Sequence, residues 1–169
     1  MAANRRGFAL VEGLVASAIL ALAITALFGL WAGMFRRIGV TRYAAQAGQL
    51  ARAEAERAKV YGVDNLPMGT YSASTGTATW TGAYVPSTNA WTAGASSAFD
   101  LAGNRLASAS TSGAALGIQS TLVDSNLLTT SGGYVFGLES RRTLVVTVTS
   151  VTDGSTILKI ATILAPGGL

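Results

Sequence analysis

The stretch that decides the fold runs from Phe8 to Phe35: FALVEGLVASAILALAITALFGLWAGMF. It is apolar on every side and carries one charge, Glu12. At the helical rise per residue it would extend ~42 Å. A bilayer core needs only about 20 residues, so the stretch can cross a membrane with length to spare. A water-soluble core helix of this kind would need a much larger protein around it. A secretory signal has an apolar region of about 7–15 residues closed by a small-residue cleavage site. This run is longer, and no such site closes it.

Working outward, Arg5 and Arg6 precede the run, and Arg36, Arg37, Arg42, Arg52, Arg57 and Lys59 follow it, with Glu54 and Glu56 among them. The net charge of +4 therefore belongs to the helical part. From Val60 onward, Asp64, Asp100, Asp124, Glu139 and Asp153 stand against Arg105, Arg141, Arg142 and Lys159, close to neutrality. That placement speaks against a basic nucleic-acid face in the downstream domain. The excess of Arg after the run favours, by itself, an N-terminus outside the cell. The chain has no Cys and no His, which removes disulfides, thiol nucleophiles and imidazole chemistry. No phosphate-cradling motif, calcium-loop spacing or carboxylate pair is present, so neither enzyme, metal nor cofactor is expected.

Glu12 is the residue on which the functional reading turns. A carboxylate in an apolar segment costs about 2.5–3.5 kcal/mol near a helix centre and less near the boundary, so such residues usually have a partner and a function. Arg5-Arg6-Gly7-Phe8-Ala9-Leu10-Val11-Glu12 resembles the start of type IV pilin and type II secretion pseudopilin precursors. The shared pattern is a short basic leader ending in Gly, then Phe, then Glu as fifth residue of the mature chain. Gly13-Leu14-Val15-Ala16-Ser17-Ala18-Ile19-Leu20 continues it and is similar to the minor variants. The resemblance covers roughly the first thirty residues.

That resemblance implies cleavage after Gly7 by a prepilin peptidase on the cytoplasmic side, and N-methylation of the new terminus on Phe8. It implies that Glu12 pairs with the N-terminal amine of a neighbouring subunit. The implied partners are the peptidase, other pilin or pseudopilin subunits through the N-terminal helix, and an inner-membrane assembly platform. The implied location is the bacterial inner membrane, then a periplasmic or cell-surface filament. Cytoplasmic cleavage and the Arg bias disagree about orientation. Many major type IV pilins have a Pro within this helix, whereas the first Pro here is Pro67. A minor pilin is therefore expected. The alternatives are a type II secretion pseudopilin, a DNA-uptake pilin whose exposed domain binds DNA, or a plain single-pass anchored protein. Gly29 and Gly33 are weak points or close-approach positions.

Helical signals continue to about Tyr61, with Ala44, Ala47, Ala51, Ala55 and Ala58 forming a narrow stripe. Arg52 and Glu56 are spaced to pair on the exposed side. The Arg run suits a solvated face or lipid headgroups better than DNA. Gly62, Asn65, Pro67 and Gly69 should end the helix. From Thr70 to about Gly133 the Ser/Thr/Gly-rich chain predicts loop, with short strands at Thr77–Trp80 and Ala83–Val85. Trp80 and Trp91 read as anchors of a small core. Tyr134-Val135-Phe136 starts a strand, and Gly132 lies in the loop before it. Thr143–Val151 alternates, Asp153-Gly154 turns, and Ile157–Leu164 returns with Leu158, Ile160 and Leu164 on one face.

The expected fold class is α+β: a long N-terminal helix packed by a small antiparallel sheet of three to five strands, pilin-like. The expected divisions are a leader at 1–7, a membrane and filament-core helix at 8–35, its exposed half at 36–62, and a β-rich domain at 63–169.

Overall fold

Ala is the commonest residue in the first sixty, with Leu next among the apolar ones, and no Pro interrupts them. The computed structural model describes residues 4–130, 133–135 and 140–164, the first six of them by backbone alone. Helix α1 spans Asn4–Tyr61. The chain divides within this helix into two compact units, Met1–Arg42 and Tyr43–Leu169. The helix ends where Gly62 takes a left-handed φ of 88°, which L-residues with a Cβ avoid. Gly62 N–H donates to Lys59 O at 3.2 Å. The Asn65 amide donates to Tyr61 O at 2.9 Å, satisfying a carbonyl that the helix leaves open.

In the second unit, strands β1 (Thr70–Ser72), β2 (Thr77–Val85), β3 (Ala90–Ala93), β4 (Ser97–Phe99), β5 (Arg105–Leu106), β6 (Leu116–Ser125), β9 (Arg141–Ser150) and β10 (Thr156–Leu164) form one antiparallel sheet of eight strands. β6 is central. It pairs with β2 and β4 along one edge and with β9 along the other, and β10 closes the far side of β9. β7 (Leu128–Thr130) and β8 (Gly133–Val135) make a separate ribbon. Tyr134 joins that ribbon to β1 by stacking on Tyr71, ring centroids 5.4 Å apart, and its hydroxyl donates to Gly69 O.

The core lies between the sheet and the helical stripe of Ala47, Ala51, Ala55 and Ala58, all buried. Small side chains let the strands approach the helix closely, and the opposing face supplies Leu116, Ile118, Leu122, Leu144, Val146 and Val148. Ala44 lies outside the buried stripe. Trp80 and Trp91 sit edge to face at 6.2 Å in this core, as their composition predicts. The hairpin of β9 and β10 also stands as read, with Leu158, Ile160 and Leu164 turned inward.

Four expectations are corrected. The sheet has eight strands, because the Ser/Thr-rich middle is mostly strand. The two short strands expected at Thr77–Trp80 and Ala83–Val85 are one, running through Gly82. That glycine is a close-approach position: a Cβ there would stand 2.1 Å from Thr92 O and 2.6 Å from the Trp80 ring. Tyr134 and Val135 belong to the small ribbon, while Phe136 and Gly132 lie outside the described residues. Glu56 pairs with Lys59 at 2.9 Å in place of Arg52.

Two of the polar devices that hold this unit lie in or beside the sheet. Asp124 and Arg142, direct cross-strand neighbours, are 1% and 2% exposed. Arg142 Nε donates to Asp124 Oδ1 at 2.6 Å and Nη2 to Oδ2 at 2.8 Å. Arg142 Nη1 donates to Val63 O and Leu66 O, tying the sheet to the chain that leaves the helix. The second device is the β4–β5 turn. Asp100 accepts from the Ala102 and Asn104 backbone N–H groups and from the Asn104 amide, each at 2.8 Å. The Gln46 amide of the helix donates to Leu101 O in the same turn. The Asn104 side-chain bond, with its backbone bond next, holds the Asp100 carboxyl below its ordinary pKa.

Removing one partner of a buried ion pair leaves an uncompensated charge. Asp124→Ala should therefore destabilise the chain in mild detergent by roughly 3–5 kcal/mol, read as a lowered urea midpoint; a loss below about 1 kcal/mol contradicts that role. Because the folded pKa of Asp100 is depressed, its contribution is present above the unfolded value and lost as pH falls through the folded one. Below about pH 4 the wild type should lose urea resistance faster than Asp100→Asn, and identical acid limbs contradict the turn's contribution.

Candidate assembly site

Within the first unit, every described residue from Leu10 to Ile38 is exposed, among them Leu14, Leu20, Leu22, Leu27, Phe28 and Trp31. A helix that is apolar all round cannot be stable in water. Its two hydroxyl side chains bond back to the helix itself. Ser17 Oγ donates to Leu14 O at 2.9 Å and Thr25 Oγ1 to Ala21 O at 2.8 Å, so neither hydroxyl needs water. The helix Leu10–Tyr61 is long and apolar enough to cross a membrane.

Glu12 is exposed on this surface and, among the described residues, forms no ion pair. It lies one turn beyond Phe8 on the same helix face, about 6 Å along the axis. Gly7 and Phe8 fall inside the helix, one turn from its first residue. The bond between them is therefore helical in this chain. A protease cleft that takes extended backbone would have to unwind that first turn. Gly is about 1 kcal/mol less favourable than Ala in a helix, so Gly7 eases that opening.

The chain carries the prokaryotic N-terminal methylation motif at residues 2–28.

That motif is the one that prepilin-type chains carry, and it supports the type IV pilin and pseudopilin family.

Comparison with curated proteins and with solved structures gave no match. A prepilin motif implies a peptidase substrate and assembly with other pilin subunits. Together with the apolar helix it is consistent with inner-membrane anchoring before assembly into a filament. The pilin-like α+β architecture agrees with this assignment.

A second polar cluster was not legible in the sequence, which treats Glu54 as one charge among many on a solvated helix. Glu54 is 2% exposed. It pairs with Arg57, accepts from the Tyr84 N–H at 3.4 Å and lies 4.0 Å from Arg105 Nη2. Arg105 Nη1 donates to Tyr84 O at 2.8 Å, and Arg57 stacks over the Tyr84 ring at 4.9 Å. Burial lowers the Arg105 pKa, and the Glu54 charge opposes that shift. With two guanidiniums on one carboxylate, the cluster clamps the helix to β2 and β5. Only the Glu54–Arg57 spacing could have hinted at it, and such spacing is common on exposed helices.

Proposed function

We propose that this chain is a minor subunit of a type IV pilus, cleaved between Gly7 and Phe8, N-methylated on Phe8, and held in the filament through Glu12. The carrying observation is the methylation motif at 2–28 with Glu12 as the one acid in the apolar, exposed helical stretch Leu10–Phe35. When such helices pack together and exclude water and lipid headgroups, a carboxylate at their surface needs an opposite charge. A new N-terminal amine on Phe8 of a neighbouring copy supplies one, on the same helix face. Pairing then fixes axial register and couples loss of hydration to assembly.

The helix without Pro supports a minor rather than a major role. The same features suit a type II secretion pseudopilin, and finding the chain in a periplasmic filament instead of surface pili would favour that reading. A DNA-uptake role has less support, since the domain beyond Val60 carries no net positive charge. The divisions at 1–7, 8–35, 36–62 and 63–169 belong to this reading: leader, filament core, exposed helix and outward domain.

Coexpression with a prepilin peptidase and intact-mass analysis of the membrane-extracted chain tests the processing step. The expected product lacks Met1–Gly7 and carries one added methyl on Phe8. Gly7→Ile, which adds a β-branched side chain at the cleft, should leave the chain uncut. A wild-type mass that retains Met1–Gly7 contradicts the reading.

A further inference from the structure

The two arginines that end the apolar run are unused by the reading above. Arg36 and Arg37 are exposed and, among the described residues, form no ion pair. No acid occurs in the sequence between Glu12 and Glu54. Gly29 and Gly33 leave the helix surface open, with no atom near the position a Cβ would take. On a helical wheel Arg36 falls roughly 20° to one side of Gly29 and Arg37 roughly 80° to the other. The two guanidiniums thus straddle the glycine stripe. Two shallow, mainly apolar depressions meet at Gly33 and Arg37, one walled by Leu30 and Met34 and the other by Arg36 and Val40.

We propose that Arg36 and Arg37 bind the phosphate of an anionic phospholipid at the outer boundary of the membrane, with an acyl chain lying in the groove at Gly29 and Gly33. The proposal rests on the membrane-anchored reading of the helix. Helical rise puts Arg36 about 36 Å from Glu12, against a hydrocarbon core of about 30 Å. Both charged positions therefore fall in interfacial layers, with the groove pointing back into the acyl region. Forked guanidinium donors match phosphate oxygens. A second parallel copy seated in the same groove would bring Arg36 and Arg37 against their own counterparts, which like-charge repulsion opposes.

The test uses the full chain in nanodiscs of equal phosphatidylglycerol and phosphatidylcholine, with retained lipids counted by native mass spectrometry. Wild type should retain phosphatidylglycerol about fivefold over phosphatidylcholine. Arg36→Gln/Arg37→Gln should bring the ratio near parity. Gly33→Leu, which fills the groove and keeps both charges, should lower total lipid retention. Parity in the wild type, a preference untouched by the double variant, or unchanged retention in Gly33→Leu overturns the proposal. So does a wild-type dimer that Gly33→Leu dissolves, since the groove then belongs to a second copy. Alkaline carbonate extraction separates the two levels. A wild-type chain released by alkali contradicts membrane anchoring itself, whereas a retained chain without lipid preference contradicts only the lipid site.

Discussion

From Leu10 to Phe35 the helix presents apolar side chains in every direction, and the single carboxylate of Glu12 stands among them. Water cannot be the lasting neighbour of such a surface. Lipid can be, and so can other copies of the same helix, and the methylation motif is consistent with both in turn. The two environments treat Glu12 differently. Near a bilayer boundary a carboxylate stays within reach of headgroups and water. Among packed helices it does not, so assembly has to bring it a cation. The proposed assembly role follows from that difference.

The second unit answers a separate requirement, which is to fold on a helix that offers it only small side chains. Ala47, Ala51, Ala55 and Ala58 give the helix a flat strip, and the sheet supplies the bulk from β6 and β9. Among the described residues, charged side chains enter this core only in pairs or clusters. Asp124 meets Arg142, and Glu54 meets Arg57 and Arg105. Each tether joins strands to the helix or to the chain just beyond it, so these charges fix where the sheet sits along residues 43–66.

Periodicity made part of this legible in the sequence. The Ala stripe, the turn at Asp153-Gly154 and the alternation of Thr143–Val151 each announce one element through a repeating local pattern. The central strand β6 gave no such signal. Its inward positions are Leu116, Ile118, Ser120, Leu122 and Asp124, so two of the five are polar and the apolar phase is broken. Asp124 is tolerated there because Arg142 lies opposite, a long-range fact that no local pattern contains. The weak apolar content of the Thr70–Gly133 region hid its strands for the same reason: short strands borrow their stability from pairing partners distant in sequence. At the N-terminus the order of charges and glycine around one apolar run was enough, because a membrane helix needs no tertiary partner to be recognised.

The central claim is that Glu12 links this helix to a neighbouring N-terminus. It is tested most directly by quantifying the chain in sheared filaments from cells carrying wild type or Glu12→Gln, normalised to the amount in the membrane. The account predicts equal membrane levels, equal removal of Met1–Gly7, and about tenfold or greater loss of Glu12→Gln from the filament fraction. Equal incorporation of the two chains would contradict it.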